Sequence, residues 1–411
     1  MMDFFFENTF YRATRLSMFP TSIKKLHELI PLHILLPAVL LSIYLLKSLC
    51  KKVSHSHRAW QRGCLPAPLE PSKLPFGIDT LLASLRADHD QRTPDHVAKR
   101  FAAMGVHTFR MSVLGTTNLV TAEPRNIQAI LATQFNDFGM GVTRSTNLKI
   151  VLGRSIFAAD AQEEGSSRAL YDFLDVLLER CSNDEEVREQ VLGLLAAGRD
   201  TTASLMSWTW YCLLRNPHVF TKLRSKILST FGQGPNSPSS VITFASLKEC
   251  TYLQHVLFET LRLHSVVPFN SRRALRDTTL PTGGGPDGKS PIFVPKGTEV
   301  NFSTHVLHRR KDLWGEEDAD DFVPERWEKK RGAASAAWHF VPFNGGPRIC
   351  IGQQLALTEA GYVLVRMLQR YDAVEGLDID PTRDWHNFTV VCSPGSPVDR
   401  NQAVLCRLRR A

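Results

Sequence analysis

Paired cysteines, blocks of like charge and internal repeats are all missing from this sequence. Its eight cysteines are scattered over 411 residues, without a CxxC pair or the spacing of a zinc finger. A chain of this length does not need a disulfide framework, so a reducing, cytosol-facing environment is expected. The formal charge of +8 is spread out, and no basic stretch is interleaved with aromatic residues. This pattern predicts no nucleic-acid partner.

One long apolar run lies near the N-terminus, at residues 29–46. Its 18 residues are just enough for a short membrane helix, although Pro31 and Pro37 weaken its first half. No small-residue cleavage site follows it, and basic residues lie on both sides, so the positive-inside rule orients it only weakly. We expect an N-terminal segment 1–50 with a single-pass anchor at about 29–46. The alternative is a buried hydrophobic helix.

Helical patterns dominate beyond a basic, proline-rich stretch at residues 51–75, which predicts a semi-rigid linker. Asn183 precedes three acidic residues, as is typical of a helix start, and a long helical pattern follows it. Residues 246–264 have the pattern of another amphipathic helix. Turns between Pro268 and Val306 separate short extended runs, which predicts small sheets. The expected fold class is mainly α with small β-sheets.

The most informative stretch is Phe343–Gly352, in which one cysteine lies in a glycine-rich loop. Glycines carry no Cβ, so such a backbone can approach a flat cofactor closely. Apolar residues at helical spacing follow Gly352, and the positive end of a helix favours a thiolate. The loop therefore indicates a thiolate offered to a metal. The alternative is a buried structural thiol, the usual fate of a free cysteine.

These ten residues resemble the haem-ligand loop FxxGxRxCxG of the cytochrome P450 superfamily at every fixed position. The resemblance implies haem b as the cofactor, with Cys350 as the axial ligand of the iron. It also implies Arg348 as a partner of a haem propionate and Phe343 as a neighbour of the sulfur. Gly346 and Gly352 would complete the cofactor-binding loop.

An acidic residue and two threonines interrupt the long helical pattern at Ala197–Thr202. A mid-helix threonine often bonds back to a carbonyl, which is the structural alternative here. The segment resembles the acid–alcohol motif AGxDTT of the same superfamily. The resemblance implies that Asp200 and Thr201 deliver protons during oxygen activation, and that Gly198 leaves a kink which admits oxygen.

Glu259 and Arg262 are an acid and a base three residues apart on one helix face. They could form a surface ion pair of little consequence, but the flanking residues are apolar. The pair matches the ExxR motif of the superfamily, and Pro324–Trp327 is similar to its PERF segment. The resemblance implies a buried charged network of Glu259, Arg262 and Arg326. It also implies Arg272 as a second propionate partner.

Two further sequence features need interpretation. His305 and His308 lie three residues apart, but without a third ligand nearby they are expected to be ordinary surface residues rather than a metal site.

Arg168 occupies the arginine position of the propionate-binding WxxxR motif, with Glu164 in place of the tryptophan. After residue 170 the chain enters the lead-in to the long helix, where relatives have several distal helices. We therefore expect a haem-thiolate domain over residues 76–411 that is incomplete around 170/171.

The resemblance implies a membrane-bound haem-thiolate monooxygenase of the endoplasmic reticulum, with its catalytic domain facing the cytosol. Its expected partners are NADPH–cytochrome P450 reductase, membrane lipid and an apolar substrate. The spread basic charge is either a solvated surface or a docking face for the reductase or anionic lipid. Residues 277–285 resemble fungal alkane and fatty-acid hydroxylases, so a long-chain aliphatic substrate is expected. The alternatives are a fungal secondary-metabolite tailoring monooxygenase, a haem-thiolate isomerase or dehydratase, and a catalytically dead haem-binding or scaffold protein.

Overall fold

The structure is a computed structural model, and it describes most of the chain beyond the N-terminus. The described ranges are 32–141, 173–181, 183–233, 242–330, 338–377, 384–389, 391–396 and 404–411. The chain divides into two compact units, Met1–Arg62 and Gly63–Ala411. In the described part of the first unit, a long helix, α1, spans Leu32–Gln61 and includes Pro37.

The expected membrane anchor at 29–46 falls mostly within α1, while residues 29–31 lie outside the described residues. Among the described residues, no helix has the length and apolar character needed to cross a membrane.

Helices form most of the second unit, as the sequence predicts. In the described residues they are, in chain order, α2 Ile78–His89, α3 Thr93–Met104, α4 Pro124–Gln128, α5 Phe173–Arg180, α6 Asp184–Arg215, α7 Pro217–Phe231, α8 Phe244–Glu249, α9 Thr251–Leu263, α10 Thr304–Leu307, α11 Lys311–Trp314, α12 Arg326–Lys330 and α13 Gln353–Arg370. A π-helical turn at Ala129–Thr133 and 3₁₀ turns at Pro75–Gly77, Phe135–Asp137 and Gly346–Arg348 join them. The mainly α fold class is confirmed.

Over the described ranges, the strands are short and form four small sheets. They are β1 Thr108–Val113, β2 Thr116–Thr121, β3 Phe138–Gly139, β4 Phe269–Ala274, β5 Thr278–Gly284, β6 Ser290–Val294, β7 Glu299–Ser303, β8 Tyr371–Gly376, β9 His386–Phe388, β10 Cys392–Pro394 and β11 Cys406–Arg410. The largest sheet has the order β1-β2-β7-β4-β3, and only its β2–β7 pair is parallel. The other sheets pair β5 with β6, β9 with β10 and β8 with β11. Four of these strands lie between Pro268 and Val306, where the sequence predicts them.

The long helix α6 organises the larger of the hydrophobic cores. Its start is capped by Asn183, whose Oδ1 accepts a 2.9 Å hydrogen bond from the backbone N–H of Glu186, as the sequence predicts. Buried residues from Leu205 to Leu213 pack against α7, α9 and α13. The helix continues through Gly198 without a break. A second core lies between the largest sheet and the segment Ile127–Leu131.

The amphipathic segment predicted over 246–264 is two helices rather than one. They are separated at Cys250, whose ψ of 80° is not helical. The periodicity is continuous across this break because both helices bury an apolar face, so the hydrophobic pattern alone does not reveal the break.

The proline-rich stretch packs on the second unit instead of acting only as a spacer. The backbone N–H of Leu65 donates to the carbonyl of Pro291, and that of Glu70 donates to the carbonyl of Arg110. Ala67, between them, is buried. The boundary between the two units therefore lies after Arg62, whereas the linker was predicted to extend to residue 75.

Candidate active site

Cys350 lies in a tight loop directly before helix α13. Its backbone N–H donates a 2.9 Å hydrogen bond to the carbonyl of Phe343, which closes the loop, while its side chain is exposed. Phe343 also packs its ring against the core around α6. The expectation that Cys350 precedes a helix N-terminus is confirmed, because α13 begins at Gln353. The interpretation as an ordinary buried thiol is wrong, because Cys350 is an exposed residue.

Two of the loop glycines are required by close packing. Gly346 has a φ of 64°, and a Cβ on it would collide with the carbonyl oxygen of Leu131. A Cβ on Gly345 would lie 2.8 Å from the ring of Trp338. Gly352 is different, because its φ of −83° suits any residue and a Cβ there would lie 3.9 Å from Sγ of Cys350. Gly346 therefore shapes the loop, whereas Gly352 leaves space beside the sulfur.

Large apolar side chains that neighbour Cys350 in the sequence are exposed, as is the cysteine itself. Ile351 and Leu355 are each 71% exposed, and Ile349 is half exposed. On α6, Val191, Leu192 and Leu195 are also exposed. Single exposed apolar residues are normal, but three within seven residues are typical of a surface that another apolar body covers.

Glu259 and Arg262 are both completely buried, so the interpretation as a surface ion pair is wrong. The guanidinium donates through Nη2 to Oε1 (2.8 Å) and through Nε to Oε2 (2.9 Å), the two-pronged geometry that arginine favours. Oε1 of Glu259 also accepts from Nε of Arg326 (3.1 Å) and from the backbone N–H of Val323 (3.0 Å). Oε2 accepts from Nε1 of Trp327 at 3.0 Å. The predicted three-residue network is thus present, and the tryptophan of the PERW segment joins it.

The remaining donors of Arg262 bind backbone carbonyls. Nη1 donates to the carbonyls of His308 (3.0 Å) and Ala319 (2.6 Å), and Nη2 donates to that of Asp321 (3.0 Å). This carboxylate–guanidinium pair is therefore fully hydrogen-bonded, which is the condition under which a buried ion pair stabilises a fold.

His305 and His308 are both buried, so the prediction that they are ordinary surface residues is wrong. Nε2 of His308 accepts a 3.0 Å hydrogen bond from the backbone N–H of Val341, and its Nδ1 lies 3.2 Å from Oγ of Ser265. Burial, and secondarily the charge of Arg262, lowers the pKa of His308 to about 3. His308 therefore contacts the Glu259 network through its carbonyl and Val341, two residues before the cysteine loop, through its neutral ring. No cluster of metal-ligating side chains occurs among the described residues.

Of the predicted propionate partners, Arg348 lies in the loop and Arg272 lies on β4, which contacts the loop. Arg272 is buried on β4, where its Nη1 donates to Oδ1 of Asn270 (3.0 Å) and to the carbonyl of Ser271 (2.7 Å). Nδ2 of Asn270 lies 3.4 Å from Oδ1 of Asn344, in the loop. Arg348 places its guanidinium carbon 5.8 Å from the ring centre of Phe135. Arg168 lies outside the described residues.

The acid–alcohol segment lies at the middle of α6. Asp200 is paired with Nε of Arg199 at 2.7 Å, and both side chains are more than half exposed. The hydroxyl of Thr201 donates to the carbonyl of Ala197 at 2.5 Å, the back-bonding geometry that is the structural alternative for this residue.

A buried polar cluster lies at the other end of α6, and the sequence motifs do not reveal it. The hydroxyl of Tyr211 donates to Oδ1 of Asp384 at 2.5 Å, and Trp208 stacks on His264 with 4.0 Å between ring centres. Burial lowers the pKa of His264 to about 3. Burial alone would raise the pKa of Asp384, but the neighbouring His264, Tyr211 and Arg309 lower it to about 2. The members of this cluster come from segments that are far apart in the sequence, so no periodic pattern predicts that they meet.

Comparison with known proteins identifies the family. The cytochrome P450 family model matches residues 154–396. The cytochrome P450 monooxygenase alt2 of Alternaria solani is 48% identical over 534 aligned positions, which cover 92% of this chain and 99% of that protein. The cytochrome P450 monooxygenase g430 of Fusarium sp is 35% identical over 488 positions, covering 82% and 84%. Cytochrome P450 52A13 of Debaryomyces hansenii is 50% identical over 218 positions, covering 53% and 41%.

The chain belongs to the cytochrome P450 family, and its enzyme class is that of the cytochrome P450 monooxygenases. Membership implies a haem with a cysteine thiolate ligand, electrons from a redox partner and an apolar substrate. The alignment with alt2 is longer than the 411 residues of this chain, so that relative contains residues that have no counterpart here.

Proposed function

We propose that this chain binds haem b through Cys350 and hydroxylates a long-chain aliphatic substrate with electrons from NADPH–cytochrome P450 reductase. The observation that carries the proposal is the exposed sulfur of Cys350, held by the Cys350–Phe343 hydrogen bond directly before α13. A bound haem would supply oxygen activation there. The protein would supply the thiolate, stabilised by the positive end of the helix.

The residues around the loop fit a haem. Exposed Ile351 and Leu355 offer the apolar surface that a porphyrin would cover. Arg348 and Arg272 are the arginines that would pair with its propionates, and the packed glycine Gly346 keeps the loop compact beside it. The Glu259 network stabilises the loop from the protein interior through His308 and has no catalytic role in this proposal.

In the proposed reaction, Asp200 and Thr201 move protons to the oxygen site. A matched pair of variants separates this role from a structural one. Thr201 donates to the carbonyl four residues earlier, and Thr209, on the same helix, makes the same bond to Leu205 at 2.8 Å. We expect Thr201→Ala to lower the product formed per NADPH consumed and Thr209→Ala to leave this ratio unchanged. Equal ratios for both variants would contradict the proposed proton delivery and would favour an isomerase or dehydratase, which needs no oxygen activation.

The aliphatic substrate is supported by the resemblance of residues 277–285 to fungal alkane and fatty-acid hydroxylases. In the fold this segment includes strand β5, where the glycines pack closely. A Cβ on Gly283 would lie 2.5 Å from Cβ of Thr108, and one on Gly284 would collide with the carbonyl oxygen of Leu65. The segment therefore maintains the packing of β5 on β1 and the proline-rich stretch. It supports kinship with those hydroxylases rather than a direct contact with substrate.

Part of the distal side is proposed to be missing after residue 170. Two observations support this: the alt2 alignment is longer than the chain, and Val191, Leu192 and Leu195 of the central helix α6 are exposed. A site that is open to water favours wasteful reduction of oxygen over hydroxylation. A catalytically dead haem-binding protein is therefore the second candidate. The transcript across codons 165–175 tests the gap directly, because an in-frame exon there would restore the distal helices.

The proposed location is the membrane of the endoplasmic reticulum, with the apolar run at about 29–46 as a single-pass anchor and the second unit on the cytosolic side. The assay for the whole proposal supplies purified chain, haem, reductase, NADPH and either an alkane or a fatty acid. Reductase-dependent hydroxylation of the alkane or of the fatty acid supports the monooxygenase. Haem binding without product would identify the catalytically dead alternative, and turnover of a polycyclic substrate alone would favour a tailoring enzyme.

A further inference from the structure

A hydrogen bond between two asparagine side chains joins strand β4 to the cysteine loop. Nδ2 of Asn270, on β4, donates to Oδ1 of Asn344, the second residue of the loop, at 3.4 Å. Both side chains are only partly exposed, so the bond is partly shielded from water. Neither asparagine belongs to the fixed positions of the sequence motifs, and neither takes part in the proposed proton delivery. The bond therefore needs an explanation of its own.

The orientation of the Asn270 amide is set by two neighbouring donors. Its Oδ1 accepts from the backbone N–H of Ser271 at 2.9 Å and from Nη1 of Arg272 at 3.0 Å. Neither partner can accept a hydrogen bond at these atoms, so a rotated amide would place its NH₂ group against two donors. The NH₂ group is therefore directed to Oδ1 of Asn344, and one amide binds both the arginine and the loop.

Strand β4 brings Asn270 and Arg272 together. They are two residues apart, so their side chains lie on the same face of the strand. The antiparallel pairing with β7, in which Asn270 is opposite Phe302 and Arg272 is opposite Val300, fixes that face. Arg272 is buried, and its Nη1 also donates to the carbonyl of Ser271 at 2.7 Å. The guanidinium is therefore held by the strand backbone and by the Asn270 amide.

The backbone at Asn344 does not require the side chain that Asn270 binds. Asn344 has a φ of 59°, in the left-handed region, and its backbone N–H donates to the carbonyl of Val341 at 3.2 Å. Asparagine is tolerated in this region, and glycine adopts it without a steric cost. The turn alone could therefore be made by glycine, whereas the bond to β4 needs the asparagine oxygen. The substitution Asn344→Gly removes the bond and keeps the turn.

We propose that Asn270 is a positioning residue, which fixes Arg272 relative to the loop that carries Cys350. Its amide oxygen orients the guanidinium, and its NH₂ group holds the loop at Asn344. This role rests on the proposed function, in which Arg272 pairs with a haem propionate and Cys350 binds the iron. The two groups that hold the cofactor at its edge and at its centre are thereby kept in one relative position.

Loss of this link is expected to change how the bound haem is held and how easily it is reduced. An arginine that moves relative to the loop compensates the charge of the propionate less well, and uncompensated negative charge favours oxidised iron. We therefore expect Asn344→Gly to lower the reduction potential of the haem. We also expect it to speed haem loss about two- to tenfold, which is the range expected for one hydrogen bond. A residue that only stabilises the fold would not change the reduction potential.

The test is a double-mutant cycle on the haem-loaded chain, with the native protein, Asn270→Ala, Asn344→Gly and the double variant. The reduction potential and the rate of haem transfer to an excess of apomyoglobin are measured for each. If the bond carries the effect, Asn344→Gly lowers the potential of the native chain but changes nothing further once residue 270 is alanine. Asn216→Ala is the control, because it removes a 2.8 Å bond to the carbonyl of Cys212 at the end of α6. It is expected to lower the melting temperature and to leave the potential unchanged.

The outcomes separate this role from the proposed function. Native potential and native haem loss in Asn344→Gly would overturn the positioning role and show that the asparagine serves only the turn; this variant decides the question alone if Asn270→Ala does not fold. Changes that simply add in the double variant would also overturn it. In both cases, thiolate-ligated haem in the native chain would leave the proposed function standing. A native chain that takes up no haem would overturn the positioning role and the proposed function together.

Discussion

The backbone N–H of Val341 donates a 3.0 Å hydrogen bond to Nε2 of His308, whose own carbonyl accepts from Arg262. This one histidine therefore connects the Glu259–Arg262 pair to Val341, two residues before the cysteine loop. The connection works only while the ring is neutral, since a protonated Nε2 cannot accept a hydrogen bond.

Replacing His308 tests this connection. His308→Phe keeps a planar ring but leaves the buried Val341 N–H without an acceptor, so we expect it to lower the free energy of unfolding by about 1–3 kcal/mol. His308→Gln can offer an oxygen at a similar place and is expected to recover part of the loss. Urea denaturation of both variants, beside His218→Phe at an exposed position, measures the effect. Equal stability of the Phe and Gln variants would show that the hydrogen bond to Val341 contributes nothing.

Removing the charge of Glu259 should have a larger effect. Glu259→Gln leaves the guanidinium of Arg262 buried without a counter-charge, a change that costs about 3–5 kcal/mol in buried pairs. Glu375→Gln breaks the exposed pair with Arg407 and is expected to cost less than about 1 kcal/mol. Denaturation midpoints of the two variants compare them directly. If Glu259→Gln costs no more than Glu375→Gln, the buried network does not stabilise the fold.

Gly105 and Gly346 have nearly the same φ, so substituting each with alanine distinguishes the cost of backbone strain from the cost of a steric collision. Gly105→Ala introduces a Cβ at a φ of 63° into open space, so we expect a cost of about 1–2 kcal/mol from the backbone alone. Gly346→Ala introduces a Cβ at a φ of 64° against the carbonyl of Leu131, and should cost more and shift the cysteine loop. Thermal unfolding and haem content report both effects. Equal losses of stability and equal haem content in the two variants would mean that the loop accommodates a Cβ at Gly346 without a collision.

Acid should destabilise the fold through its buried histidines. The pKa values of His308 and His264 fall from 6.5 to about 3 on folding, mainly because burial disfavours the charged ring. Between these values the unfolded chain binds protons that the folded chain does not, so stability is complete above pH 6.5 and falls as the pH approaches 3. Asp384, with a pKa lowered to about 2, adds a loss in the same direction below its ordinary value of 3.8.

Urea midpoints measured at several pH values between 7.5 and 4 test this dependence. The midpoint is expected to fall steadily over the range, and His308→Gln should flatten the slope because it removes one of the titrating groups. A midpoint that is constant from pH 7.5 to 4 would contradict the assignment of neutral, buried histidines.

The sequence predicts those parts of the fold that depend on local patterns. The start of α6 at Asn183, the helix after Cys350 and the burial of Glu259 with Arg262 all follow from capping residues, periodicity and fixed motif spacing. Each of these signals lies within a few residues of the feature that it predicts.

Sequence patterns do not predict the contacts that join distant segments of the chain. The buried position of His308 depends on Val341, 33 residues away, and the cluster of Tyr211 with Asp384 joins residues 173 apart. The packing of the proline-rich stretch on β1 and β6 likewise has no local signal. The roles of Asp200 and Thr201 remain predictions, since the structure records only their contacts with Arg199 and Ala197.

The most direct test of the central claim is the reduced, carbon monoxide-bound difference spectrum of the native chain and of two cysteine variants, Cys350→Ser and Cys50→Ser. Cys50 is exposed like Cys350 but belongs to α1. We predict that the native chain and Cys50→Ser show the red-shifted Soret band of a thiolate-ligated haem, and that Cys350→Ser does not. A red-shifted band that survives in Cys350→Ser, or its absence from haem-loaded native chain, would contradict the assignment of Cys350 as the haem ligand.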